Sequence, residues 1–177
     1  MGEPAILFEM MAHGRHNGFT MVELLLGILL LVGGGGALLF GMLYAMDHTS
    51  YLSEFQIAMN AAQGELEMLE ATNVDTLWSD PFYANARRTD PLLQMGQGVA
   101  VPNLHNGMLT IQIKRADPQE PPALLDIQVA ACWQHRGRPI GEDHDCDGFL
   151  DVGEDINLNG WVDSPAMVST RIARRGT

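Results

Sequence analysis

The chain has 177 residues, with 22 acidic against 10 basic side chains and a formal net charge of −12. That length supports one compact domain plus one membrane-scale helix, not two full domains. The acidic balance and a single lysine, Lys114, exclude a phosphate-reading surface, so no direct nucleic-acid binding is expected.

The first predicted element is apolar. Leu24 to Met46 carries no charged side chain, and at about 1.5 Å per residue a helix of that length crosses a hydrocarbon core of about 30 Å. No Lys or Arg lies between Arg15 and Arg87, which favours a cytoplasmic leader and an exported carboxy-terminal part. Three readings fit an apolar amino-terminal run: a secretory signal with a small-residue site near Gly33 to Ala37, a plain single-span anchor, or a processed leader. A carboxylate at the head of a membrane helix is costly and wants a reason, and here Glu23 stands immediately before the run. Secretory signals place positive charge there instead.

The stretch Gly18-Phe19-Thr20-Met21-Val22-Glu23-Leu24-Leu25 resembles the processing site of type IV prepilins and type II secretion pseudopilins. The resemblance implies cleavage after Gly18 by a prepilin peptidase, methylation of the new terminus at Phe19, and an assembly role for Glu23. In that family the glutamate pairs with the terminal amine, here that of Phe19, on a neighbouring subunit and sets axial register. It further implies an inner-membrane assembly platform and other pilin or pseudopilin subunits as partners. The expected division is a leader over 1–18, a membrane and assembly helix over 19–46, and a globular part over 47–177. Localisation would be the bacterial inner membrane first, then a pilus or periplasmic pseudopilus. Gly33-Gly34-Gly35-Gly36 predicts a weak or broken stretch of helix, because each Gly costs about 1 kcal/mol relative to Ala; small-residue packing of neighbouring helices is the other reading. Related sequences commonly place a Pro nearby, and none occurs here.

Beyond the glycines, Leu52, Phe55, Met59, Ala62, Leu66 and Leu69 recur at spacings of three and four, predicting one buried helical stripe that runs to about Glu70. Glu54, Glu65, Glu67 and Glu70 fall off it. Residues 71–107 are irregular and predict a long connection holding one short helix or strand. Leu109, Ile111 and Ile113 alternate with polar residues, as do Leu125, Ile127, Val129, Ala131 and Trp133, and a third strand is expected over Val168, Thr170 and Ile172. Asp117-Pro118 and Pro121-Pro122 mark the turn between the first two. One long helix packed on a small antiparallel sheet is an α+β arrangement, and it is also the pilin fold that the leader implies.

Residues 142–163 form an acidic loop. Asp143, Asp145, Asp147, Asp151 and Glu154 occupy positions 1, 3, 5, 9 and 12 of a twelve-residue stretch with Gly148 at 6, the ligand spacing of an EF-hand-type calcium loop. Phe149 at position 7 offers its carbonyl. A second, weaker copy follows at once: Asp155, Asn157, Asn159, Gly160, Trp161 and Asp163, with Ala166 where a twelfth-position acid would be. Together they resemble the aspartate-rich calcium repeats of extracellular proteins, such as thrombospondin type 3 repeats, and imply Ca2+ as a structural cofactor. Flanking helices are not evident, so this is not read as a complete EF-hand. A solvated acidic surface is the alternative. Cys132 and Cys146 allow one disulfide tying this loop to the sheet, or two free thiols; pilins often carry a carboxy-terminal disulfide loop. Cys132 is placed on the polar side of its strand.

The sequence has no Gly-x-Ser-x-Gly, phosphate-binding glycine loop or His-Glu-x-x-His motif, so no enzymatic activity is expected. His48, His105 and His135 read as surface residues, His144 as pointing away from the loop acids, and Trp78, Trp133 and Trp161 as packing. Two function classes remain: a structural filament subunit, closer to minor members than to major pilins, or a recognition module displayed by the filament and binding a surface or secreted substrate.

Overall fold

The computed structural model describes residues 19–87 and 95–174. Gly18 therefore lies outside the described residues, while Phe19 and Glu23 lie within them. The chain divides into two compact units between Met46 and Asp47, inside the first helix, α1 (Met21–Ala71).

In the first unit the apolar side chains of α1 are exposed on every side, Phe40 to 77% and Leu31 to 77%. A helix apolar all round needs a bilayer or other helices. This helix is long and apolar enough to cross a membrane, which is compatible with single-pass anchoring. Its start is fixed by a capping box: Thr20 N–H donates to Glu23 Oε2 at 3.2 Å, and Glu23 N–H donates to Thr20 Oγ1 at 3.2 Å. Gly33–Gly36 do not break the helix. The backbone keeps its hydrogen bonds whatever the side chain, so the propensity cost weakens the segment without opening it. A Cβ at any of these four would meet nothing within 4 Å.

In the second unit the remaining turns of α1 bury Ala58, Ala62 and Leu69, with Tyr51, Phe55 and Leu66 half-buried beside them. Five of the six residues of the expected stripe, Phe55, Met59, Ala62, Leu66 and Leu69, lie in or against the core. Leu52 is exposed, and Tyr51 takes its place because its ring packs 6.2 Å from the Trp133 indole. Glu54 belongs to the buried side as well: its carboxylate accepts the Trp133 Nε1–H at 3.2 Å and lies 2.7 Å from His135 Nδ1. A buried indole N–H needs an acceptor, which explains an acid there. His135 is accordingly not a surface residue; it lies between Asp47 and Glu54, its side chain 15% exposed.

The connection after α1 holds a short helix, α2 (Val74–Ser79), capped by Asn73, then a 3-10 turn at Pro81–Tyr83. Five antiparallel strands follow: β1 (Gln97–Ala100), β2 (Met108–Arg115), β3 (Leu124–His135), β4 (Arg138–Ile140) and β5 (Met167–Ala173). β2 lies between β1 and β3, while β4 and β5 pair with successive parts of β3. The connection over 71–107, expected to hold one short helix or strand, holds both α2 and β1, and β4 was not expected. β1 and β4 are both short, and β4 arises from a two-residue turn, Arg136-Gly137, with both φ positive, the type that closes hairpins.

The alternation predicted for the main strands is present. Ile111 opposite Val129 and Ile113 opposite Ile127 form, with Leu109, Leu125 and Trp133, the core packed by α1. The other face carries Thr110, Gln112, Gln128, Ala130 and Cys132, and it is buried too, beneath residues 141–166. Cys132 does lie on this polar side, but at 1% exposure it is covered. It is bonded to Cys146, 14 positions further along the sequence, with the Cα atoms 5.4 Å apart. A closed loop of that length stabilises by about 3 kcal/mol in the chain-entropy model.

Candidate metal centre

The acidic segment makes two successive turns with the same internal hydrogen bonds. In the first, Asp143 Oδ1 accepts from Asp147 N–H at 3.3 Å and Oδ2 from Gly148 N–H at 2.9 Å. Asp145 Oδ1 also accepts from Asp147 N–H at 3.3 Å, and Asp147 Oδ1 accepts from Phe149 N–H at 2.9 Å. In the second, Asp155 Oδ1 accepts from Asn159 N–H at 3.0 Å and Oδ2 from Gly160 N–H at 2.8 Å. Asn157 Oδ1 accepts from Asn159 N–H at 3.0 Å, and Asn159 Oδ1 from Trp161 N–H at 2.6 Å. The backbone repeats as well, with positive φ at Cys146 and Leu158 in position 4 and at Gly148 and Gly160 in position 6. Gly148 is required twice over, since its Cβ would also meet the Gly98 Cα at 2.3 Å.

Asp143, Asp145 and Asp147 present carboxylate oxygens that all lie within 4.8 Å of one another, and this cluster could hold a metal ion. An all-oxygen donor set suits a hard cation. Glu154 reaches back across the same turn, its Oε1 accepting from His144 N–H at 2.8 Å and its Oε2 from Asp151 N–H at 3.0 Å. Phe149, Asp151 and Glu154 are outside the three-carboxylate cluster. In the second turn Asp163 Oδ2 accepts from the Asn157 and Asn159 amides. That turn therefore gathers Asp155, Asn157, Asn159 and Asp163, while Ala166 is buried in the core. His144 is exposed, as expected.

Polar residues that alternate with the apolar ones along β2 and β3 position both turns. Thr110 Oγ1 donates to Asp143 Oδ2 at 3.3 Å. Gln112 accepts from Val162 N–H at 2.7 Å, and Gln128 donates to the Val162 carbonyl at 2.6 Å. Lys114 Nζ donates to the Gly160 carbonyl at 2.7 Å and lies 3.6 Å from the Trp161 ring centroid. Burial lowers the Lys114 ammonium below its usual value, opposed by Asp155 and Asp126. Position 8 of each turn is an apolar anchor: Leu150 and Val162 are 1% exposed and pack with Met95 and Ala130. The apolar residue between ligand positions 7 and 9 was the available sequence signal for those anchors. Glu142 closes the base, its N–H donating to the Asp163 carbonyl at 2.9 Å.

Comparison with family models, characterised proteins and solved structures returned no match for this chain. The family resemblance therefore rests on the residues themselves.

Asp143 is fully buried, and desolvation pushes its carboxyl up to about 6 against the Gly148 N–H, with Glu154, Asp147 and Asp145 adding repulsion. Burial also raises Asp147. The folded state thus holds the Asp143 proton to higher pH than the unfolded chain does. Stability from that proton is present near pH 4 and lost as pH rises through 6. Thermal melts of the metal-free second unit (residues 47–177) should fall by several degrees between pH 4.5 and pH 7, and Asp143→Asn should flatten that dependence. Equal slopes for the two proteins would show that Asp143 does not govern it.

Proposed function

We propose that this chain is a structural subunit, a minor pilin or pseudopilin, that assembles through its amino-terminal helix into a type IV pilus-like filament. The observation that carries the reading is the sequence Gly18-Phe19-Thr20-Met21-Val22-Glu23 set directly against a charge-free helix. The all-round exposure of that helix supports it: a surface so apolar needs lipid before assembly, and neighbouring helices supply the same environment afterwards. Glu23 then exchanges its Thr20 partners for the Phe19 amine of the next subunit. Quantitative mass spectrometry of sheared filaments and of the remaining envelope tests this. A mature terminus at methylated Phe19, recovered with filaments or as an envelope pseudopilin, is the expected result; an uncut amino terminus in the native host overturns it.

The acidic turns bind calcium in this reading. Asp143, Asp145, Asp147, Asp151 and Glu154 with the Phe149 carbonyl would hold one ion, and Asp155, Asn157, Asn159 and Asp163 with the Trp161 carbonyl a second. Calcium takes six to eight oxygens, and the ion would neutralise carboxylates that otherwise repel one another. Residues 47–177, folded with the disulfide intact, should melt several degrees higher in millimolar calcium than in chelator. An unchanged melting temperature sinks the structural-calcium proposal.

A second reading, display of a recognition surface, is favoured by one feature: Val152, Ile156 and Leu158 on the acidic turns are 73%, 69% and 86% exposed. Replacing all three with Ser should leave filament yield unchanged and weaken filament-dependent attachment to a surface or secreted substrate. Unaltered attachment by the triple variant rules that reading out.

A further inference from the structure

β5 is an edge. Its inner side pairs with β3 over Met167–Ala173, and among the described residues no strand pairs with its outer side. The direction of its main chain follows from the bonds at its two ends. Ala131 N–H donates to the Ala166 carbonyl at 2.9 Å, and Arg174 N–H donates to the Ala123 carbonyl at 2.8 Å. Residues 166 and 174 thus turn inward to β3, and by the period of two so do Val168, Thr170 and Ile172. The N–H and C=O groups of Met167, Ser169, Arg171 and Ala173 face outward.

Clefts flank this edge on both faces of the sheet. One, of about 410 Å³, lies between β5 and the end of α1 and is lined by Glu70–Val74 and Thr170–Ala173. The other, of about 460 Å³, is lined by Asp126, Gln128, Trp161, Ser169 and Arg171. Side chains of an added strand would alternate between the two. The first cleft is lined by one acid, Glu70, and one base, Arg171. α1 ends there with Glu70 in its last turn and no basic residue in that turn to offset the partial negative charge of a helix carboxy terminus. Among the described residues the cations beside it are already committed, Arg174 to Asp75 at 2.6 Å and Arg171 to Asp126 on the opposite face at 2.6 Å.

We propose that the outer edge of β5 is a strand-addition site for an extended segment of a partner protein carrying a Lys or Arg that enters the cleft beside Glu70. Backbone pairing to Ser169, Arg171 and Ala173 supplies the affinity, and the uncompensated charge at the helix end supplies the preference for a cation. A second copy of this chain is the less suitable occupant, because its net charge of −12 repels another such edge. The proposal stands independently of the filament reading.

The full chain in detergent micelles, titrated with a blocked pentapeptide of sequence TVKVT at millimolar concentration, tests it by amide NMR and hydrogen exchange. The expected result is shifted and slowed amides at Ser169, Arg171 and Ala173, with affinity reduced at least fivefold for the control TVEVT. Ser169→Pro removes an N–H that faces away from β3, leaves the inner ladder intact, and should abolish the effect. Glu70→Gln, an exposed change outside the sheet, should erase the difference between the two peptides. Three results would overturn the proposal: no response of these amides to TVKVT, equal response to TVEVT in the native chain, or protection that grows with protein concentration without peptide, which would assign the edge to a second copy.

Discussion

The central strands β2 and β3 are buried on both faces of the sheet, and the two faces have opposite chemical needs. One is aliphatic and satisfied by the small residues of α1: Ala58 and Ala62 let the helix approach, and Trp133 fills the space left. The other presents Thr110, Gln112 and Gln128, whose buried polar atoms cost about 1–3 kcal/mol each when left without partners. A strand or helix laid over them could not supply partners, because its own backbone groups are already paired. An irregular segment has free N–H and C=O groups in abundance. Residues 141–166 meet the glutamines through Gly160 and Val162, so the sheet and the loop satisfy each other. The disulfide at Cys132 then holds the first turn to the same face.

This mutual dependence explains what the sequence could and could not disclose. The period of two over Leu109–Ile113 and Leu125–Trp133 marks the strands, because side-chain direction is a local property. The same period cannot tell water from a polar loop, so Gln112 and Gln128 read as solvent-facing although they are 3% and 7% exposed. Their partners lie 34 to 50 residues away, beyond any local pattern. The ligand spacing of the acidic turns was legible for the converse reason. It is written by contacts two to five residues apart, Asx-type bonds that recur in both copies. β1 and β4 are too short, with Gly98 and Pro139 among their few residues, to show alternation. The replacement of Leu52 by Tyr51 at the start of the α1 stripe follows from a ring contact with Trp133, again remote in sequence.

Glu23 illustrates how a local and a distant role share one residue. Within the subunit its carboxylate is held by Thr20 at the start of α1, where the helix dipole favours negative charge. It is therefore not an orphan within the subunit. In the proposed filament a neighbour's ammonium would contribute only the difference between its own interaction and the one given up, and positions that failed to align the amine would leave the capping box as the better alternative. A glutamate with no local partner would be attracted to any cation along the helix and would discriminate less.

The two acidic turns differ in what a cation would gain. In both, main-chain N–H groups orient the ligand side chains in advance, so little ordering entropy is lost on binding. The first turn gathers three carboxylates, one of them fully buried; burial foremost, and repulsion by neighbouring acids after it, raise Asp143 and Asp147, and a divalent ion would offset both. The second has two carboxylates and two amides, is open to solvent, and has Lys114 bonded to its Gly160 carbonyl with Asp155 among the charges acting on it. Part of its negative charge is thus already neutralised from within the fold. Were both turns to bind a cation, electrostatics would make the first the tighter site, and it is also the one fixed by the disulfide and by Thr110. The second is held to the sheet by Lys114, Gln112 and Gln128.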